Sequence, residues 1–170
     1  MQSTFKINQT TQSIRNWLLF FMIALIVSGI TAIPVEWELS VITRFFSANS
    51  MIGEWLDTVY RGVKEAGQKH PFLFYGYDWL AFAHIVLALV FIGPYKDPVK
   101  NKWVIEFGMY ACLLIIPFAL TAGYFRDMPF WWRLIDCAFG VIGIIPLSIC
   151  LRKINAIEKQ KPYPLTETYS

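Results

Sequence analysis

Four long apolar stretches divide this sequence, and they constrain the fold more than any other feature. A bilayer core roughly 30 Å thick needs about 20 helical residues to cross it. With 56% hydrophobic and 17% aromatic residues, the composition is unlike that of an ordinary soluble domain. The sequence therefore predicts an all-α integral membrane protein, a four-transmembrane-helix bundle that forms one membrane domain over residues 1–170. The predicted spans cover residues 16–33, 74–93, 104–124 and 130–151.

Basic residues are concentrated at one end of the predicted bundle. They occur before the first span, between the second and third spans, and after the fourth. The positive-inside rule assigns such regions to the cytoplasm, so we expect a bacterial plasma (inner) membrane with both termini and the tail 152–170 on the cytoplasmic side. The net charge of +3 follows from this topology, and no nucleic-acid partner is predicted. The residues concerned are Lys6, Arg15, Lys96, Lys100, Lys102, Arg152, Lys153, Lys159 and Lys161.

The segment 35–73 between the first two spans has no basic excess and should face outward. Within it, apolar residues recur at helical spacing from Ile52 to Val63, opposite a charged face. Ser50 is placed as the N-cap of this helix and Gly67 as its C-terminal stop. The pattern predicts an amphipathic outer-side helix, which could be an interfacial anchor or a lid over the outer ends of the spans.

Ionisable residues inside the second and fourth spans indicate where a function should be sought. A charge near the middle of the hydrocarbon costs about 2.5–3.5 kcal/mol unless it is paired or hydrated. At about 1.5 Å per residue, His84 lies roughly 9 Å below Asp78, and Asp136 lies roughly 9 Å below Phe130. We therefore expect a polar pocket in the outer half of the bundle. Its candidate ligand-binding residues are Asp78, His84, Arg133, Asp136, Tyr75, Tyr124 and Trp132.

Three interpretations of this cluster remain open. The pocket could bind a hydrophobic or amphipathic small molecule, such as a lipid, a quinone or a sterol, whose polar head meets the ionisable residues. His84 and Asp136 could instead be catalytic and perform acid–base chemistry in a membrane-embedded isomerase or reductase. Arg133 and Asp136, three residues apart on one helix face, could also form a structural ion pair.

Membrane lipids are the expected surroundings, and a homodimer or a second membrane protein is the expected kind of protein partner. A different class of function follows from such a partner, because the chain would then be a non-catalytic accessory or structural subunit of a larger membrane complex. A pocket protein should copurify with a lipid-like ligand, whereas an accessory subunit should be unstable without its partner.

No cofactor and no metal site are predicted. A haem held by two histidines needs both of them in the membrane, but His70 lies in the outer segment and only His84 lies in a span. The three cysteines, Cys112, Cys137 and Cys150, all fall within spans and lack the spacing of zinc ligands. We interpret them as small core residues.

The layout of four spans with a long outer connection after the first resembles that of the EXPERA group, which includes sterol isomerases, and that of the DoxX-type proteins. The resemblance is one of architecture, without a shared defining motif. The first span here lacks the acidic residue that an EXPERA pocket would use. The resemblance therefore attaches no activity to this chain.

Overall fold

The computed structural model describes residues 2–47 and 49–160, together with their side chains except those of residues 2–4 and 6. The end of the predicted tail, including Lys161, lies outside the described residues, as does the side chain of Lys6. Every regular element within the described ranges is helical, as predicted. The α-helices are α1 (Gln2–Ala32), α2 (Val35–Ile42), α3 (Met51–Lys69), α4 (Tyr75–Val90), α5 (Ile92–Lys96), α6 (Lys102–Phe125) and α7 (Phe130–Gln160). Short 3-10 turns follow α2 at Thr43–Phe45 and precede α4 at Pro71–Phe74.

Four helical stretches are long and apolar enough to cross a membrane, which is compatible with a helical membrane protein. Each overlaps one predicted span and extends beyond it. The extension has a simple cause, because lysine, arginine, glutamine and glutamate end an apolar run but are good helix formers. The stretches are Ile7–Ala32, Pro71–Lys96, Lys102–Phe125 and Phe130–Gln160.

Helix α7 continues well past the end of its predicted span. Its last turns bury Ile154 and Ile157, so the apolar face of the helix persists beyond the charged pair at residues 152–153. The ammonium group of Lys102 lies 2.9 Å from a carboxylate oxygen of Glu158 and joins the start of α6 to the end of α7. The described part of the predicted tail is therefore an ordered continuation of the helix.

The helices form two compact units. The α6–α7 unit contains the first part of α1, up to Met22, together with the chain from Val90 onward, including α5, α6 and α7. The α2–α4 unit contains the second part of α1, from Ile23, together with α2, α3 and α4 up to Leu89. Both units therefore include a part of α1.

Helices α6 and α7 approach each other closely at glycine residues. A Cβ atom added at Gly140 would lie 2.5 Å from the carbonyl oxygen of Cys112. A Cβ atom added at Gly108 would lie 3.0 Å from the side chain of Leu147. Small residues allow helix backbones to come together where lipid supplies no hydrophobic driving force. The contact between α6 and α7 thus requires glycines on both helices.

Polar side chains join α1 to α5 and α7 within the α6–α7 unit. The Arg15 guanidinium donates from Nε to the carbonyl oxygen of Tyr95 at 3.1 Å and from Nη2 to that of Lys96 at 3.2 Å. Carbonyls at the end of a helix lack intrahelical partners, and α5 ends at these residues. Lys153 donates a hydrogen bond to the hydroxyl of Ser13. Together with Lys102, which is paired with Glu158, three of the basic residues that predict the topology are therefore engaged in specific contacts.

Helix α3 begins as the sequence predicts but ends later. The hydroxyl oxygen of Ser50 accepts a hydrogen bond from the N–H of Gly53 at 3.0 Å, which confirms the N-cap. The predicted stop at Gly67 is wrong, because the helix continues past it. The residue before a proline is driven out of the helical conformation, and His70, which precedes Pro71, has φ −140° and ψ 60°.

Replacing Gly140 with alanine should destabilise the α6–α7 unit. The added methyl group would overlap the carbonyl oxygen of Cys112, and overpacking of this kind costs about 1–3 kcal/mol. Gly76→Ala is the control, because a Cβ atom there has nothing within 4 Å. Thermal unfolding in detergent should show a lower midpoint for G140A and an unchanged or higher one for G76A. Equal midpoints would show that the glycine contact carries no packing energy.

Candidate functional site

The candidate site residues divide between the two units. Tyr75, Asp78 and His84 lie on α4 in the α2–α4 unit. The α6–α7 unit holds the other four, which are Tyr124, Trp132, Arg133 and Asp136. A pocket shared by the two groups stays a prediction, and each group has contacts of its own.

His84 is oriented by its own helix. Its Nδ1 atom lies 2.8 Å from the carbonyl oxygen of Leu80, one turn earlier. Because a carbonyl oxygen only accepts hydrogen bonds, Nδ1 must carry the proton. In the neutral imidazole, Nε2 is then the acceptor. The ring is thus set in one tautomer, with Nε2 as the atom that a ligand could meet.

The position of His84 also belongs to a helix contact inside the α2–α4 unit. A Cβ atom added at Gly29 of α1 would lie 2.8 Å from the carbonyl oxygen of Ala81 and 2.9 Å from the Cβ atom of His84. Ala81 is fully enclosed, while His84 is half-buried. The backbone of His84 therefore lies where α1 and α4 meet.

Tyr75 and Asp78 lie near the start of α4 and are exposed. The Tyr75 ring makes an edge contact with Trp79 at 6.0 Å between centroids, and Trp79 makes a second one with Phe82 at 5.8 Å. Asp78 lies in the first turn of the helix. This end of α4 presents an aromatic ridge with one negative charge.

Arg133 holds the loop between α6 and α7. Its Nε donates to the carbonyl oxygen of Met128 at 2.8 Å, and its guanidinium carbon lies 5.9 Å from the centre of the Tyr124 ring. The aliphatic part of the side chain occupies the space left by Gly123, where a Cβ atom would lie 2.7 Å from Cγ. Asp127 in the same loop has a left-handed φ of 53°. The contacts of Arg133 therefore stabilise a turn that contains a residue with positive φ.

Asp136 is half-buried on α7 and is not paired with Arg133. Both residues are described, and no salt bridge joins them, because the Arg133 side chain turns towards the loop instead. The structural ion pair that the spacing allows is therefore not formed. Trp132 makes an edge contact with Trp131 at 5.6 Å between ring centroids.

Replacing Arg133 with methionine should loosen the loop while retaining most of the side-chain volume over Gly123. Loss of the hydrogen bond to Met128 should cost about 1 kcal/mol. Hydrogen exchange of the amides of residues 126–129 should become faster in R133M. Arg126→Met is the control, since Arg126 is an exposed residue whose side chain makes no hydrogen bond, ion pair or ring contact in the described part of the chain. Equal exchange rates in the two variants would count against the loop-holding role.

An open cleft of about 500 Å³ lies in the α2–α4 unit. Its walls come from the turn between α1 and α2, from α2, from α3 and from the 3-10 turn that precedes α4. Most of the lining is apolar or aromatic, with one carboxylate and one serine hydroxyl. The lining residues are Ile33, Pro34, Val35, Glu36, Trp37, Ser40, Tyr60, Gly67 and Phe74.

The cleft lies at the ends of two helices of membrane-spanning length. Helix α1 ends at Ala32, next to the cleft residue Ile33. The second candidate span begins at Pro71, shortly before the cleft residue Phe74. A molecule in the cleft would therefore lie near the level at which these apolar helices end.

Sequence reasoning missed this cleft because it followed charges inside the spans. Glu36 and Trp37 lie outside all four predicted spans. One local signal was present, since Pro34 disfavours helical conformation at the preceding residue and so ends α1. The pattern indicates that the chain changes direction at the end of an apolar helix, directly before a carboxylate and a tryptophan.

By its fold, the chain is all-helical over the described ranges and has four helices of membrane-spanning length. Comparison with models of known protein families, with curated proteins and with solved structures finds no match. Function must therefore be inferred from the chemistry of the site, because a helical fold alone specifies none.

Proposed function

We propose that this protein is a helical membrane protein that binds an amphipathic small molecule in the cleft of the α2–α4 unit. The observation that supports it best is the lining of the cleft, in which one carboxylate stands among apolar and aromatic side chains. Small-molecule sites are commonly apolar concavities of about 300–1,000 Å³ with a few polar groups that fix orientation. The cleft has this size and composition.

The proposal includes a topology with both termini in the cytoplasm and the cleft on the outer surface of a plasma membrane. The distribution of basic residues supports this orientation. Helix α3 supports an interfacial position for the cleft, because Leu56 on its apolar face is buried while Arg61 and Lys64 are exposed. A ligand at this level would have its tail in hydrocarbon and its head in water.

The cleft is a better binding site than the region around Arg133. The Arg133 guanidinium already donates to Met128 and stacks near Tyr124, so a ligand head would have to displace those contacts. In the cleft, by contrast, the Glu36 carboxylate has no ion pair or hydrogen bond within the described part of the chain. A ligand head that binds Glu36 therefore displaces no hydrogen bond or ion pair of that carboxylate.

Gly67→Leu should remove binding while leaving the fold intact. A Cβ atom at this position would lie 3.6 Å from the Oε2 atom of Glu36 and 3.6 Å from the Phe74 ring, so a leucine would fill the cleft beside them. Gly62→Leu is the matched control, because it lies on the same helix with nothing within 4 Å. Both changes remove a glycine from a helix interior, which should stabilise α3 by up to about 1 kcal/mol.

Native mass spectrometry with lipid extraction, on protein gently purified from its own membranes, provides the measurement. We expect a discrete small molecule on the wild type and on G62L, and none on G67L. Bulk phospholipid alone on all three proteins would overturn the proposal. If G67L does not fold, Trp37→Ala tests the same wall. Trp103→Ala then serves as the control, because the exposed fractions are 66% for Trp37 and 63% for Trp103, which lies outside the lining.

A further inference from the structure

We propose that the molecule bound in the cleft carries an ammonium head group, which Glu36 and the aromatic walls recognise. This inference rests on the proposed function and adds the chemical class of the ligand. It follows from the charge of the lining, from its aromatic side chains and from the exposed apolar residues that neighbour the lining residues in the sequence.

The Glu36 carboxylate is the charged group of the lining, and it is available to a ligand. It lies in the first turn of α2. Gly67 faces the carboxylate and has no side chain. A Cβ atom built at Gly67 would lie 3.6 Å from Oε2, so the space beside this oxygen is unfilled. A positive group in the cleft could therefore contact this oxygen directly.

Aromatic rings form the remaining recognition surface. Trp37, Tyr60 and Phe74 all line the cleft, and aromatic faces attract ammonium groups within about 6 Å of the ring centre. The Tyr60 ring already shows this behaviour, because the Nζ atom of Lys64 lies 5.8 Å from its centroid. A carboxylate flanked by such rings is chemically suited to a primary or quaternary ammonium group.

The lining disfavours an anionic head group. It contains Glu36 and no lysine, arginine or histidine among its described residues. A phosphate or sulfate without an attached cation would meet the like charge of Glu36, and the lining itself supplies no positive charge, since Lys64 beside the Tyr60 ring is not part of it. The hydroxyl of Ser40, one of the few polar donors of the lining, already donates to the carbonyl oxygen of Trp37 at 2.7 Å.

Exposed apolar residues in or close in sequence to the lining provide a place for a hydrocarbon tail. Ile30, Ile33 and Phe72 are exposed where α1 ends and where the second candidate span begins. An alkyl chain lying on these side chains would run along the apolar helices while its head remained near Glu36. The ligand class is therefore a long-chain ammonium compound, either a free amine or a phospholipid with a choline or ethanolamine head.

The test uses the whole polypeptide in a neutral maltoside detergent and three ligands whose hydrocarbon tails are matched in length. They are dodecyltrimethylammonium, lauroyl lysophosphatidylcholine and lauroyl lysophosphatidylglycerol, each titrated below its micellar concentration and counted by native mass spectrometry. The wild type should bind dodecyltrimethylammonium roughly fivefold or more tightly than the anionic lipid. Equal binding of lysophosphatidylcholine would identify a phospholipid head, and weaker binding of it a free amine. Both outcomes support the ammonium class.

Glu36→Gln should weaken dodecyltrimethylammonium binding roughly fivefold without lowering the unfolding midpoint, because an exposed carboxylate contributes little to folding. Glu38→Gln is the control, since Glu38 lies on the same helix and outside the lining. Unchanged binding in E36Q, or equal affinity of the wild type for the anionic lipid, would overturn the ammonium inference but leave the cleft as a site. Failure of all three ligands to bind the wild type more tightly than G67L would overturn the proposed function itself.

Discussion

Close contact between helices at glycine is the constraint on which both units depend. Gly140 brings α7 against the carbonyl of Cys112, and Gly29 brings α1 against the carbonyl of Ala81. In the lipid environment that the proposed function implies, apolar side chains would gain nothing by leaving the solvent, so van der Waals contact at small residues would have to hold the helices together. The placement of the site residues follows, because Gly29 sets the environment of His84 and Gly123 leaves the space that Arg133 occupies.

Two arginines use their charge in the same way. Arg15 donates to carbonyls at the end of α5, and Arg133 donates to a carbonyl in the loop after α6. Carbonyls at these places lack helical partners, and the planar guanidinium offers several donors in a fixed arrangement. Both guanidinium groups therefore have a structural role. The carboxylate open to a ligand in the cleft is Glu36, which lies outside the spans.

Local signals predicted the helices well and their ends less well. The Ser50 cap was predictable, because it involves atoms only three residues apart. The end of α7 was missed because the predicted span followed the apolar run, although the polar residues beyond it are good helix formers. Burial of Ile154 and the contact of Lys102 with Glu158, which lie far apart in the sequence, add tertiary contacts to these last turns. The stop predicted at Gly67 failed because a helix tolerates one glycine, whereas the proline that follows α3 ends it.

The sequence by itself determined that the chain forms four long apolar helices, because length and hydropathy act within each segment. It also located the ionisable residues on those helices. Only the tertiary structure decided which of them are engaged and where a cleft forms. Glu36, Tyr60 and Phe74 come from three separate elements, and they meet because α2 packs against α3 and α3 against the turn before α4. That packing is a long-range property, which no local pattern of residues encodes.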